Sequence, residues 1–283
     1  EPRAGQSEEF NFVAFAADPA YRQANRALIA RALALLPQRF FHVDVASGTG
    51  LVPQELMNLA VGQGKTGMVI GIDPDGFALE NARRHTRPPH GFVVEFLQGF
   101  AQDMTRLLAG KVPPEGVDYT SIHDAIHEIP GEDTKRDVLS AMGRILRPGG
   151  LLTYNSAFTT AAMDEGAMDW GRLKARGFAI LGGKRDRNMP APKIHTPEQY
   201  RQMIVDAGLK VIHEAKHVVK MSRAAMDAIG RYPAFIEGAF GDMVGTEKIP
   251  LAEKSRAILS AIDSLGLVEL PRVWHEIMAQ KAI

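Results

Sequence analysis

Asp44-Val45-Ala46-Ser47-Gly48-Thr49-Gly50 is the stretch whose reading decides the fold. Ahead of it, Phe40-Phe41-His42-Val43 is a short run of aromatic and β-branched residues of the kind that packs well in a strand. Behind it, Leu51, Glu55, Leu56 and Leu59 fall at helical spacing. A strand therefore turns through glycines into a helix. Glycines let a backbone approach a ligand without a Cβ in the way. The first turn of the helix presents free N–H groups to polar ligand atoms.

The same alternation continues outward. Strands are expected over Met68–Ile72, Phe92–Leu97, Val117–Ile122 and Leu151–Tyr154, with helices over Phe77–His85 and Asp133–Leu146 between them. On the other side, Asp18-Pro19 opens a helix with Ala24, Leu28, Ala32, Leu35 and Leu36 as its apolar stripe, and Pro37 stops it. After Ser156 the pattern weakens, and Gly182-Gly183, Met189-Pro190 and Ala191-Pro192 mark an irregular insertion to His195. Order returns with Thr196-Pro197-Glu198-Gln199, a capping box with Pro at the first helical position. Strands follow near 211–219 and 273–282, with helices between them. Such a chain is α/β, a doubly wound Rossmann-like sheet of seven mostly parallel strands with helices on both faces. Its expected organisation is an N-terminal helical lid over 1–39, a core over 40–222 containing the 156–195 insertion, a helical cap over 223–267 and a final core strand over 268–283.

Composition narrows the partners. Of 283 residues 45% are hydrophobic and 23% charged, with 33 basic against 33 acidic side chains, so nothing global attracts nucleic acid or an anionic membrane. The short basic group Lys184, Arg185 and Arg187 reads as a solvated loop. There is no cysteine, which excludes disulfides and thiolate chemistry and fits a cytoplasmic setting. No run approaches the roughly 18 apolar residues of a membrane span. The start, Glu1-Pro2-Arg3-Ala4-Gly5, has no signal-peptide pattern.

Two cofactor classes fit the glycine turn. A dinucleotide site wants a small residue three positions after the second glycine, where this chain has Pro53, and a carboxylate at Asp44 would repel a pyrophosphate. Asp44 suits instead the ammonium group of S-adenosylmethionine (SAM). Here the sequence resembles the class I SAM-dependent methyltransferases, whose first motif is an acidic residue, three others, then Gly-x-Gly. Asp73 in Gly71-Ile72-Asp73-Pro74 matches the acidic residue that holds the ribose in that family, and Leu146-Arg147-Pro148-Gly149-Gly150 matches its turn before strand five. Ser121-Ile122-His123-Asp124-Ala125-Ile126-His127-Glu128 resembles the loop beside the cofactor. The chain departs from the family where an Asp often contacts adenine, reading Gly99-Phe100-Ala101-Gln102-Asp103. Phe100 can stack there, the backbone alone can serve, or Asp103 can supply the carboxylate.

The resemblance implies SAM as cofactor and S-adenosylhomocysteine as product. It implies a cofactor site of Asp44, Ala46, Ser47, Gly48, Thr49, Gly50, Asp73, Pro74, Gly99, Phe100, Ala101 and His123. Methyl transfer is an in-line displacement with a good leaving group, so positioning supplies much of the rate, and a base serves only an acceptor that must lose a proton. His127 and His123 are the catalytic candidates, set against helix-start packing for the first and pocket lining for the second. His213 and His217 share a strand face but show no third ligand, so no metal is expected. Tyr154, Asn155 and His195 read as strand and loop residues near the site. Phe10, Phe12, Phe15 and Tyr21 suggest a mobile aromatic lid. Met226, Tyr232, Phe235, Phe240 and Met243 suit an acceptor pocket, a core or a homodimer interface. The expected activity is methylation of a small, partly apolar molecule of natural-product or quinone-like type, in biosynthesis. The competing readings are a non-methylating SAM enzyme such as a cyclase, an NAD(P)-dependent oxidoreductase, and a catalytically dead partner-binding fold.

Overall fold

The run from Phe40 forms the first strand of the sheet, β1 (Arg39–Val45), in a computed structural model that describes residues 7–163, 166–189 and 194–283. In chain order the helices and strands before it are α1 (Val13–Ala16) and α2 (Pro19–Leu33). After it come α3 (Leu51–Val61), β2 (Thr66–Asp73), α4 (Gly76–His85), β3 (Phe92–Gln98), α5 (Met104–Leu107), β4 (Val117–His123), α6 (Glu132–Ile145) and β5 (Leu146–Ser156). The second half adds α7 (Ala167–Ile180), α8 (Pro197–Asp206), β6 (Leu209–Ser222), α9 (Arg223–Ile229), α10 (Pro233–Phe240), α11 (Leu251–Ser264) and β7 (Glu269–Lys281).

The seven strands form one sheet in the order β3-β2-β1-β4-β5-β7-β6. The first five are mutually parallel, and β7 runs antiparallel to both β5 and β6. Strand order reverses between β1 and β4, so a crevice opens at the carboxyl ends of those two strands, the place where such sheets bind ligands. Asp44 on β1 is level with Ser121 on β4 there.

Helices cover both faces. Leu28, Ile29 and Leu33 of α2 pack with Leu56 and Met57 of α3 on one side. Val138, Leu139 and Met142 of α6 pack with Tyr200, Met203 and Ile204 of α8 on the other. Local sequence accounts for the helix starts. Asp18 accepts from the amides of Ala20 and Tyr21 ahead of Pro19, and Thr196 and Gln199 complete their reciprocal capping box.

Three boundaries differ from the sequence pattern. Strand β5 begins at Leu146, because Leu146 already pairs with Val117 and Arg147 to Gly150 fill the register irregularity before Leu151 meets Tyr119. The stretch read as irregular contains α7, a 14-residue helix whose Leu173 and Phe178 are buried in the cap. Its start at Gly166 and its internal Gly171 and Gly177 masked the periodicity, although Gly177 permits close packing against Phe240. Helix α2 ends at Leu33, which leaves Leu35 exposed outside its stripe. Pro190, Ala191, Pro192 and the stretch Glu1–Gly5 lie outside the described residues.

Strands β6 and β7 are long, and this places the site. On β7 only Gln280 back to His275 pairs with β5, while β6 pairs from Lys281 down to Glu269. The first part of β7, with Arg272 and Trp274, therefore runs past the end of β5. The helices α9, α10 and α11 span the gap between β6 and β7 as a cap. They share one hydrophobic cluster with Phe15, Tyr21, Leu173, Phe178 and Trp274.

Candidate active site

The turn after β1 is built tightly. Ser47 donates its amide to the Ile72 carbonyl at 2.9 Å, and Gly50 donates to the Ser47 carbonyl at 2.9 Å. Gly48 and Gly50 take positive φ of 52° and 80°. Ala46 does the same at 56° without being glycine, a strained conformation of the kind found beside functional sites. The two glycines differ in surroundings. A Cβ on Gly50 would come within 2.8 Å of Thr86 Oγ1, whereas a Cβ on Gly48 would meet nothing within 4 Å. Space lies open over Gly48 for a ligand.

Two carboxylates border that space. Asp44 is buried and accepts from Ser121 Oγ at 2.5 Å. Burial pushes its carboxyl up to about 7, the Ser121 bond holding it back in part. Asp73 accepts from the Gly48 amide at 2.8 Å through Oδ2 and from the Asp75 amide at 2.8 Å through Oδ1. Each oxygen keeps a second lone pair for a hydroxyl. Burial raises Asp73 to about 6 against those two bonds. Pro74, next along, is exposed. Gly99 donates its amide to the Asp73 carbonyl at 3.0 Å, Ala101 opens a short 3-10 turn, and between them Phe100 is 55% exposed, a bare aromatic face at the end of β3. Asp103 instead faces Arg106 at 3.6 Å.

The two histidine candidates part company. His123 is buried in a polar chain under the strand ends. Asn25 Nδ2 donates to the Tyr21 carbonyl at 2.9 Å, which fixes its amide orientation. Asn25 Oδ1 therefore accepts, from Asn155 Nδ2 at 3.0 Å and from His123 Nδ1–H at 3.0 Å. His123 Nε2 then carries no proton and accepts from Thr153 Oγ1 at 2.9 Å, which leaves Thr153 to accept from the Tyr119 hydroxyl at 2.6 Å. Burial lowers His123 to about 3, in keeping with a neutral imidazole used on both edges. His127 sits nearer the surface of the site, stacked on Phe158 with ring centroids 3.9 Å apart.

A cavity of about 660 Å³ lies between the ends of β4 and β5 and the cap. Phe12, Phe15, Phe158, Trp170, Tyr232 and Phe235 form much of its wall, and His127, Glu128 and His195 also line it. Glu128 links it to the cofactor side: it accepts from the Tyr232 hydroxyl at 2.9 Å, and its charge acts on both Asp73 and Asp124. Met226, Phe240 and Met243 are buried in the cap. Tyr154 is fully buried in the core. His213 and His217 both face Glu276, at 2.8 and 3.9 Å, a partner that the sequence did not reveal. No group of three or more His, Asp or Glu suited to a metal occurs among the described residues, and no described helix is long and apolar enough to cross a membrane. Arg185 pairs with Asp242 at 3.2 Å.

Two residues at the cavity escaped the sequence reading. Asp124 follows β4 with φ +49° and accepts from the Ala157 amide at 3.0 Å. Burial drives its carboxyl up to about 7 against that bond and the Arg272 charge. Its left-handed backbone has no signature in Asp-Ala-Ile-His. Arg272 arrives from far along the chain on the overhang of β7, a placement that only the strand pairing reveals.

Residues 43–150 match the model of the methyltransferase domain family. Residues 43–150 thus carry a methyltransferase domain, and the fold around them is that of the class I SAM-dependent methyltransferases. SAM is its cofactor, and the open turn at Gly48 between Asp44 and Asp73 fits that molecule. Solved structures of the methyltransferase fold overlay most of the chain at low identity. A protein from Bacillus halodurans C-125 gives a TM-score of 0.57 at 14% identity, covering 92% of this chain and 100% of that one. A SAM-dependent methyltransferase from Methanosarcina mazei gives 0.52 at 14%, covering 88% and 96%. The N-methyltransferase NodS from Bradyrhizobium japonicum WM9, in complex with S-adenosylhomocysteine, gives 0.51 at 10%, covering 94% and 89%. No curated protein matches the chain in sequence.

Proposed function

We propose that this methyltransferase moves the methyl group of SAM to a small, partly apolar acceptor held in the cavity under the cap. The observation that carries the reading is the cavity itself: its volume suits a small molecule, its wall is aromatic, and it meets the end of β4 at Asp124. When bound, SAM supplies an electrophilic methyl on a sulfonium. In this reading Asp44 takes the ammonium group and Asp73 the ribose hydroxyls. The turn from Ala46 through Gly50 offers backbone polar groups, and Phe100 stacks on the adenine. Pro74, Gly99 and Ala101 shape the floor. His123 positions the strand ends through its hydrogen bonds. Asp124 is poised to accept a proton from an O–H or N–H nucleophile, because burial holds its carboxyl near neutrality. His127, stacked on Phe158, is the second candidate for that role.

The test is an incubation of the purified protein with SAM and a panel of aromatic and aliphatic small molecules, followed by mass spectrometry. S-Adenosylhomocysteine released together with a methylated panel member is the expected result, with Asp124→Asn slowing it by about 100-fold or more. Methylation of tRNA or DNA but of no small molecule would refute the acceptor class. A transformed panel member without S-adenosylhomocysteine would support the non-methylating alternative.

A further inference from the structure

The cavity holds one cationic group to which methyl transfer itself gives no task. Arg272 lines it from the overhang of β7. Its guanidinium carbon lies 4.1 Å from the ring centroid of Phe158 and 4.8 Å from that of Trp170, so two aromatic rings lie against it. Nε donates to the Ala157 carbonyl at 2.6 Å. The Nη groups make no hydrogen bond among the described residues. Burial lowers the guanidinium to about 10, which still leaves it charged at neutral pH.

The other charges at the cavity are engaged. Lys174 pairs with Asp242 at 2.7 Å, Lys135 donates to the Ile129 carbonyl, Glu237 pairs with Lys254 at 2.7 Å and Glu128 accepts from Tyr232. Asp124 is the carboxylate whose field Arg272 feels, and its Oδ1 is held by the Ala157 amide. Thus the backbone of one residue, Ala157, fixes both groups: its N–H holds Asp124 and its C=O holds Arg272. Two residues along β7, on the same face of the strand, Trp274 also lines the cavity, and its Nε1 has no acceptor among the described residues.

We infer that the methyl acceptor carries a carboxylate, which the Nη edge of Arg272 clamps while the aromatic walls hold the rest of the molecule; this rests on the methyl-transfer reading above. With Nε engaged by the Ala157 carbonyl and two rings against the group, the Nη edge is what the guanidinium offers a ligand, and that edge matches the two oxygens of a carboxylate. Charged donors left unpaired in an apolar cavity are costly, and a ligand carboxylate satisfies them. The guanidinium carries one charge and already feels that of Asp124, which favours a carboxylate monoanion over a phosphate dianion. The clamp orients the acceptor so that its nucleophilic group points toward Asp124 at the end of β4.

The test compares phenylacetate with phenylacetamide, which have the same shape and differ in charge. Each is titrated calorimetrically into the wild-type protein at pH 8, with and without saturating S-adenosylhomocysteine, and SAM affinity is measured on the same sample. Phenylacetate is expected to bind at least about tenfold more tightly than the amide, the lower range for charge-assisted hydrogen bonds. Arg272→Gln abolishes the preference and Arg272→Lys keeps part of it. Asp124→Asn, which leaves the clamp in place and removes a repelling carboxylate, tightens phenylacetate without moving the amide. Equal affinities, absence of binding by both probes, or a preference that survives Arg272→Gln would overturn the inference. If Arg272→Gln does not fold, an Asp124→Asn protein that gains nothing for the acid overturns it equally. A wild type that fails to bind SAM counts against the methyl-transfer reading. One that binds SAM and ignores the acid counts against the carboxylate clamp alone.

Discussion

Gly48 and Gly50 stand two residues apart in one turn, yet the structure assigns them different work, and alanine at each position separates the two. At Gly50 the backbone has φ +80°, and an added Cβ would lie 2.8 Å from Thr86 Oγ1, 3.1 Å from Ala82 Cβ and 3.1 Å from Phe96 Cζ. The left-handed conformation costs an alanine roughly 1–2 kcal/mol. Overpacking against side chains that are themselves fixed adds about 1–3 kcal/mol. The stiffer unfolded chain offsets about 0.4–1 kcal/mol. Gly50→Ala should therefore destabilise the fold by about 2–4 kcal/mol, a large part of an ordinary domain's stability. At Gly48 the backbone has φ +52° and nothing lies within 4 Å of the added atom, so Gly48→Ala should cost only about 1 kcal/mol. Its Cβ enters the space proposed for the cofactor, and SAM affinity should fall by about tenfold or more, as it does when a fitted contact worth about 1.4 kcal/mol is lost. Urea denaturation followed by circular dichroism reads the first quantity, and calorimetric titration with SAM reads the second. A Gly48→Ala protein that binds SAM as tightly as wild type would refute the placement of the cofactor over that turn. A Gly50→Ala protein as stable as wild type would refute the packing argument.

Two further outcomes follow from the buried carboxylates. Asp73→Ala removes the acceptor for the Gly48 and Asp75 amides together with the proposed ribose contact, so SAM affinity should drop by about 10- to 100-fold; calorimetry at an unchanged circular dichroism spectrum checks it, and retained affinity would remove Asp73 from the site. The pH dependence has a definite sign. Asp44 and Asp124, raised to about 7, and Asp73, raised to about 6, bind protons more tightly in the folded protein than in the unfolded chain. Their stabilisation is complete at low pH and is lost as pH rises through 6 to 7. His42 and His123, lowered by burial, act oppositely and lose their contribution as pH falls below about 6.5. The melting temperature of the cofactor-free protein should rise from pH 8 to about 6.5 before the histidines oppose it, and SAM affinity should weaken over the same range as Asp44 protonates. A flat melting profile between pH 8 and 6.5 would contradict the raised carboxylates, and an unchanged SAM affinity over that range would contradict the role of Asp44.

The parts of this protein legible in its sequence are those governed by local rules. The strand, glycine turn and helix at Asp44–Leu59 declare themselves because chain direction, side-chain period and glycine content change within a few residues. Asp73 stands out at the end of an apolar run for the same reason. The capping box at Thr196 and Gln199 was readable because it lies within four residues. What stayed hidden depends on distance along the chain. Asn25 and Asn155 meet under the strand ends, Tyr232 reaches Glu128, and Arg272 reaches Ala157. Each joins segments more than a hundred residues apart, and neither period nor motif encodes that. Helix α7 was hidden for another reason: its glycines suit close helix packing but lower the helical signal.

The Asn25 junction carries the sharpest consequence of that long-range order. The sequence suggests a lid over residues 1–39 with Phe10, Phe12, Phe15 and Tyr21 as its aromatic face, yet α2 within it is tied down. Arg22 and Arg26 grip the buried Glu55 of α3, Asp18 accepts from Ser222 at 2.8 Å, and Asn25 closes the chain from Tyr119 through Thr153 and His123. Any closing motion is thus confined to the residues ahead of Asp18. Asn25→Leu keeps the branching at Cγ while removing both polar atoms, and it tests this directly. It leaves His123 Nδ1–H and Asn155 Nδ2 as buried donors without an acceptor, and the Tyr21 carbonyl without that donor. At about 1–3 kcal/mol for each unsatisfied group, partly relieved by relaxation, the loss should be about 2–5 kcal/mol by denaturant unfolding. Because Asn155 also holds the Asp124 amide at 2.9 Å through its Oδ1, the ends of β4 and β5 should lose their alignment. Methyl-transfer rate should then fall more than SAM affinity, since the cradle at Gly48 lies on β1. A variant within about 0.5 kcal/mol of wild type, a change ordinary for surface sites, would mean that the polar chain is incidental and that the N-terminal helix is held by packing alone.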